Sequence, residues 1–133
     1  MKRIAWIAIL FVVVCGSACG PKKMNDEAIA YAKSVEFRNA RLSALQAFSG
    51  ETMHYLRIDV HNSGTRAVKQ LEVVLYFYDR QNKLVNTERA IAVSDRHRPL
   101  APGETRDFKQ GIEYPPDWNR ATPNIGISYL ELK

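Results

Sequence analysis

Three histidines, His54, His61 and His97, are the residues best suited to acid–base or metal chemistry in this sequence. Asp59 and His61 are two residues apart in an alternating segment, which places both on the outward face of one predicted strand. A metal site needs a third and a fourth ligand, and none is spaced nearby. The sequence also lacks a Gly-x-Ser-x-Gly motif and a glycine-rich phosphate loop. We therefore expect no catalytic residue, no metal and no cofactor.

Both cysteines lie in the amino-terminal segment. Lys2 and Arg3 precede an uninterrupted apolar run from Ile4 to Val14, and the small residues Gly16, Ser17 and Ala18 follow it. This is the order of an export signal. A membrane-spanning helix needs roughly 20 apolar residues, and Ile4 to Ala18 offers fifteen. Export is therefore favoured over a permanent membrane helix.

Cys19 follows this triplet of small residues directly. A triplet ending in Ala before Cys resembles the lipobox of bacterial lipoproteins, although Gly16 stands where that family usually has an aliphatic residue. The resemblance implies removal of a signal peptide at residues 1–18 and acylation of Cys19, which would anchor the chain in a bacterial cell envelope. Gly20 in place of an Asp implies the outer membrane, facing the periplasm, in a Gram-negative cell. Two alternatives stay open: acylation of Cys15, or an ordinary secretory signal.

The charge distribution argues against a nucleic-acid partner. Without Lys2 and Arg3, 17 of the 19 basic residues remain against 14 acidic residues, a net charge of +3. Basic and acidic residues alternate along the chain, whereas nucleic-acid binding requires a concentrated basic patch. The short run Arg96-His97-Arg98 is typical of a solvated loop. A mildly cationic domain of 115 residues after residue 18 is long enough for one hydrophobic core.

The mature chain is predicted to be all-β after a short tether. Residues 19–34 comprise a polar spacer and a brief helix that Asn25 and Asp26 can cap. The period of the apolar residues then changes from helical spacing to two. Turn spacings predict an antiparallel β-sandwich of six or seven strands over residues 35–133. The strands are predicted at Val35–Leu45, Thr52–His61, Val68–Tyr78, Leu84–Val93, Arg106–Ile112 and Asn124–Leu132.

The second and third strands should form the centre of the core. Leu56, Ile58 and Val60 share one face of the second strand. The third strand carries an apolar row of four, Leu71, Val73, Leu75 and Phe77. On the fourth strand, Val85, Thr87, Ile91 and Val93 have the same parity and are expected on one side. Asn62 and Asp79 stand where turns begin, so their side chains can accept hydrogen bonds from turn N–H groups.

The stretch from Val35 to Ile112 resembles the FxLYD-like family of bacterial envelope domains. The resemblance is carried by Val60-His61-Asn62-Ser63-Gly64, by Leu75-Tyr76-Phe77-Tyr78-Asp79 and by Leu100-Ala101-Pro102-Gly103-Glu104. The sequence departs from the pattern at Leu75, Phe77 and Lys83. The resemblance implies a small immunoglobulin-like sandwich with a binding or assembly role, so it describes the fold more closely than the function.

Val74, Tyr76 and Tyr78 form a second row on the opposite face of the third strand, where a sandwich normally meets solvent. The amino-terminal segment, with Ile29 and Tyr31, or another strand would cover this row if it were structural. Tyrosines supply rigid contact area, so an exposed row predicts a surface for an envelope protein partner. Together with Trp118, the two tyrosines form an alternative glycan- or peptidoglycan-binding surface.

Overall fold

The structure is a computed structural model, and it describes residues 22–113 and 123–133. It contains a six-residue α-helix, α1 (Asp26–Tyr31), which continues into a short 3-10 helix (Ala32–Ser34). Six strands follow: β1 (Val35–Gln46), β2 (Thr52–Asn62), β3 (Val68–Tyr78), β4 (Leu84–Val93), β5 (Thr105–Ile112) and β6 (Asn124–Leu132). Within the described ranges, no helix has the length and apolar character needed to cross a membrane.

The six strands form two antiparallel sheets of three strands each. The strand order is β1-β2-β5 in one sheet and β4-β3-β6 in the other. The chain therefore passes between the sheets after β2, after β4 and after β5. This arrangement confirms the all-β antiparallel sandwich, and β3, β4 and β6 have the bounds that the sequence predicts.

The two sheets pack face to face because each contributes an apolar row from its central strand. The predicted rows of β2 and β3 are buried, with exposures of 0–1%. Both rows belong to one hydrophobic cluster, which Ala28 of α1, Phe108 of β5 and Leu130 of β6 complete. Burying a large aliphatic or aromatic side chain contributes about 1.5–3 kcal/mol, so these rows are the main source of the fold's stability.

The sandwich has two different ends. The helix end carries α1, the loop between β2 and β3, the loop between β4 and β5, and the carboxyl terminus. The hairpin end carries the turn from Ala47 to Glu51 and the turn from Asp79 to Lys83. Asp79 caps its turn as expected, because its Oδ1 accepts from the backbone N–H groups of Gln81 at 2.8 Å and Lys83 at 2.9 Å.

An irregularity in β4 changes the predicted pattern of that strand. Leu71 pairs with Val93 and Glu72 pairs with Ile91, so Ala92 is an extra residue in the ladder. Such a bulge reverses the parity of the residues on its two sides. Val93 is consequently buried while Ile91 is 56% exposed on the outer face. The expectation that both lie on one side was wrong for this reason.

Candidate interaction surface

Val74, Tyr76 and Tyr78 lie on the outer face of the β4-β3-β6 sheet, as predicted, and we call these three residues the tyrosine patch. The side chains on either side of them along β3, Leu75 and Phe77, are fully buried. Each residue of the patch is partly exposed. Because β3 is the central strand of its sheet, the tyrosine patch lies between the edge strands β4 and β6, in the half of β3 nearer the hairpin end, where Tyr78 is the last residue of the strand.

Gly126 of β6 makes room for the patch. It pairs with Val74 across the sheet, and a Cβ atom at this position would lie 3.2 Å from Tyr76 Cε2 and 3.3 Å from Val74 Cγ1. The two side chains therefore lean over the glycine and rest on the β6 backbone. This contact accounts for part of the burial of both side chains.

The amino-terminal helix does not cover the tyrosine patch. Ile29 is 52% exposed, and the hydroxyl of Tyr31 lies in the loop between β2 and β3, 2.7 Å from Asn62 Oδ1. The alternative in which these two residues cover the patch is therefore not the arrangement of the structure. The physical reason is that the Tyr31 hydroxyl has its polar partners, Asn62 and the carbonyl of Arg66, in the loop between β2 and β3.

The residue that does approach this face from the amino terminus is Lys22. Its Nζ lies 3.8 Å from Glu72 Oε1 and 5.0 Å from the centre of the Tyr129 ring. Glu72 and Tyr129 are cross-strand partners on the outer face, next to Val74 along β3. Burial raises the pKa of Tyr129, and the neighbouring carboxylate of Glu131 raises it further. Tyr129 is consequently neutral and serves as an apolar ring with a polar tip.

The outer face of the β1-β2-β5 sheet carries mainly charged side chains, whereas the outer face of the β4-β3-β6 sheet carries the tyrosine patch. Arg57 donates to Asp107 Oδ2 at 2.6 Å, which holds the pKa of this aspartate below its usual range. Asn39 donates to Asp59 at 2.9 Å, and His61 Nδ1 lies 2.7 Å from Thr105 Oγ1. Exposed pairs of this kind contribute little to stability.

The side chains considered for chemistry are dispersed or already engaged. Asp59 and His61 lie on the outer face of β2 as predicted, but each has the partner named above. His97 is exposed in the loop between β4 and β5. Among residues 22–113 and 123–133, no group of three His, Cys, Asp or Glu side chains is placed to hold a metal ion.

Three residues important to the sequence predictions, Cys15, Cys19 and Trp118, lie outside the described residues, as does the export signal. Sequence reasoning did not identify a further group of exposed apolar residues, which the structure places at the hairpin end: Leu45, Phe48 and Met53. The only available signal was an aromatic residue in the predicted turn.

Comparisons with known proteins give no family for this chain. No protein-family model and no curated protein matches it. Among solved structures, it is similar to a Northeast Structural Genomics Consortium target, SoR45, with 13% identity and a TM-score of 0.44 over 76% of this chain and 86% of that chain. It is also similar to a Bordetella pertussis protein described as ApaA, with 13% identity and a TM-score of 0.40 over 74% and 92% of the two chains.

Proposed function

We propose that this protein is a lipid-anchored lipoprotein of the bacterial cell envelope whose sandwich binds another envelope protein and performs no catalysis. The observation that carries the proposal is the tyrosine patch, which is partly exposed on the central strand of the β4-β3-β6 sheet. The resemblance of the first twenty residues to a lipoprotein signal supports the anchor. The resemblance of residues 35–112 to FxLYD-like domains supports the binding role.

The position of the amino terminus supports a partner close to the membrane. Lys22, which contacts Glu72 and Tyr129 on the face of the tyrosine patch, follows Cys19 by three residues. Three residues span at most about 11 Å of extended chain. An acylated Cys19 would therefore hold this face near the bilayer surface, within reach of a membrane-associated partner.

The form of the patch favours a protein over a glycan. A glycan site needs aromatic faces that converge in a groove with polar groups between them, whereas the tyrosine patch lies on one strand at the middle of a sheet. Tyr76 also rests against the β6 backbone at Gly126, so one side of its ring is already occupied. A protein partner with a flat apolar surface can bury the remaining exposed part of all three side chains.

The anchor is tested by metabolic labelling with an alkyne fatty acid. We expect the wild-type chain and Cys15→Ala to incorporate the label, and Cys19→Ala to lose it, because only Cys19 follows the small-residue triplet. Label that persists in Cys19→Ala and disappears in Cys15→Ala would transfer the anchor to Cys15. Absence of label from the wild type would contradict the lipoprotein assignment.

The partner is tested by photo-crosslinking in intact cells. A benzophenone amino acid in place of Tyr76 should give a discrete protein adduct, and the same substitution at His61 serves as the matched control. His61 is also a partly exposed residue on the outer face of a central strand, but it lies in the other sheet, at the helix end. Equal adducts from both positions, or none from position 76, would contradict the proposal. Tyr76→Ala with Tyr78→Ala should retain cooperative thermal unfolding, and its loss would show that the patch is structural.

A further inference from the structure

The hairpin formed by β1 and β2 ends in an apolar tip, which we define as Leu45, Phe48 and Met53. Six large apolar side chains are exposed among the described residues, and three of them belong to this tip. Phe48 is fully exposed, Leu45 is 57% exposed and Met53 is 48% exposed. A concentration of large apolar side chains at one projecting point marks an interaction site more clearly than scattered ones do.

The exposure of the tip results from an ordered turn. Ala47 N–H donates to the carbonyl of Glu51 at 2.8 Å, and Gly50 N–H donates to the carbonyl of Ala47 at 2.9 Å. Gly50 has a φ of +86°, a conformation that an L side chain rarely adopts. The turn therefore presents the ring of Phe48 outward in a fixed backbone.

The tip also projects beyond the rest of its sheet. The register between β2 and β5 ends at the pair His54 and Ile112. Leu45 pairs with Met53 one step farther along, beyond the last residue of β5. Both side chains of this pair lie on the outer face, because Leu56 and Ile58 of β2 face the core.

A row of three cations crosses the same outer face, behind the tip. Arg41 pairs with Arg57 on β2, and Arg57 pairs with Lys109 on β5, so the three side chains are cross-strand neighbours, and we call them the cationic row. Tyr55 lies between the row and the tip, with Lys109 Nζ 4.1 Å from the centre of its ring. Like charges directly opposite one another oppose strand pairing. Asp107 pairs with Arg57 at 2.6 Å, so the three cations and this one carboxylate carry a net charge of +2.

Three acidic residues of this face lie on the other side of the row. Glu36, Asp59 and Asp107 are all found between the cationic row and the helix end. At the hairpin end itself, Glu51 lies in the turn and Glu113 follows β5. The outer face therefore changes from mixed charge to the cationic row, then to Tyr55, and then to the apolar tip, which has Glu51 and Glu113 at its margin.

We propose that the hairpin docks on a bilayer surface that contains anionic lipid, with the apolar tip inserted and the cationic row on the headgroup phosphates. The dimensions fit this mode of binding. Arg57 and Met53 are four residues apart on β2, about 13 Å at the rise of a strand. An interfacial element inserts its apolar part by about 5–10 Å, which brings the cations to the level of the phosphates. Tyr55 then lies in the interfacial region that tyrosine prefers.

The experiment places an environment-sensitive fluorophore at each of the two turns of the hairpin end in the full chain, reconstituted in vesicles. Ser49→Cys labels the apolar tip, and Gln81→Cys, in the turn between β3 and β4, is the matched control. The vesicles contain phosphatidylcholine alone or with phosphatidylglycerol, and spin-labelled lipid quenches a fluorophore that enters the headgroup region. We expect quenching at position 49 with the anionic vesicles only, and none at position 81.

Two sets of variants separate the contributions of the row and the tip. Arg41→Gln and Lys109→Gln should each weaken insertion about fivefold, and raised salt should weaken it in the same direction. Glu51→Gln should strengthen it. Phe48→Ser should abolish quenching while the thermal unfolding midpoint stays within about 3 °C of the wild type, because an exposed ring contributes little to folding.

Several results would overturn the proposal. Quenching that is equal on neutral and anionic vesicles would remove the role of the cationic row, as would unchanged insertion of Arg41→Gln and Lys109→Gln. An unquenched fluorophore at position 49, together with a protein adduct from a crosslinker at position 48 in cells, would make the occupant a protein. None of these results depends on the tyrosine patch, whose test uses positions 76 and 61.

Discussion

The helix end and the hairpin end of the sandwich differ in which side chains they bury: the helix end buries a polar side chain, and the hairpin end leaves an apolar one exposed. At the helix end, Asn62 is completely buried and its side chain binds both neighbouring loops: Nδ2 donates to the carbonyl of Arg66 at 2.7 Å and to that of Leu100 at 3.1 Å. At the hairpin end, Phe48 is fully exposed, and hydrogen bonds within its own turn define the local backbone.

Tyr31 completes the network at the helix end. Its hydroxyl accepts from the N–H of Arg66 at 3.0 Å and lies 2.7 Å from both Asn62 Oδ1 and the carbonyl of Arg66, to one of which it donates. Arg66 also pairs with Glu27 of α1. Hydrogen bonds between buried polar groups therefore hold together the end nearest the tether. The opposite end leaves apolar side chains in solvent, and these side chains are not required for folding.

The largest expected effect is at Asn62. Asn62→Ala should lower the free energy of unfolding by about 3 kcal/mol, because it leaves the carbonyls of Arg66 and Leu100 and the N–H of Gly64 without this partner in a buried site. Urea denaturation of the purified protein measures the change in the free energy of unfolding. Asn86→Ala, at an exposed position of β4, is the control and should stay within about 0.5 kcal/mol. Equal costs for the two variants would contradict the comparison of the two ends.

The next effect in size is a steric one at Gly64. A Cβ at this position would overlap the Tyr31 side chain, with Cε2 only 2.7 Å away and the hydroxyl oxygen closer still. Gly64→Ala should therefore cost about 2 kcal/mol, the scale of overpacking in a closed site.

The Tyr31→Ala background provides the control for this prediction. There the steric cause is absent, so the additional cost of Gly64→Ala should fall below about 0.5 kcal/mol. Urea denaturation of the four chains of this cycle measures both costs. A cost for Gly64→Ala that is the same in the two backgrounds would show that the glycine is required by its backbone and not by Tyr31.

Local chemistry made much of this structure predictable. Alternation placed β3 at Val68–Tyr78, and the side-chain oxygens of Asn62 and Asp79 accept turn N–H groups as expected from their residue types. The side of β3 on which the tyrosine patch lies followed from the same parity. These features depend on neighbours within a few residues, which a sequence pattern records directly.

Features that depend on distant contacts were not predictable. The hydroxyl of Tyr31 binds residues 31 and 35 positions away, so nothing near it in the sequence indicates its direction. The extra residue at Ala92 turns Ile91 outward, and no neighbouring Gly or Pro in the sequence indicates this bulge. The exposure of Phe48 depends on where β5 ends relative to β2, which is a matter of register between strands about fifty residues apart.

The smallest expected effect is at the hairpin end, where Glu88 pairs with Leu75 and therefore faces the interior side of β4. Burial raises the pKa of Glu88 above its ordinary value, and the charge of Glu113 raises it further, against a backbone hydrogen bond that lowers it. Because the pKa is raised in the folded state, the fold accommodates protonated Glu88 better than ionised Glu88. The stability associated with protonated Glu88 is therefore complete below the unfolded pKa of about 4.5 and is lost as pH rises through the folded value.

The free energy of unfolding of Glu88→Gln should thus match that of the wild type at acid pH and exceed it at pH 7 by no more than about 0.5 kcal/mol. Urea denaturation at the two pH values measures this difference. Greater stability of Glu88→Gln at acid pH than at pH 7, relative to the wild type, would mean that the carboxylate is stabilised by partners and that the hairpin end, like the helix end, satisfies its polar groups.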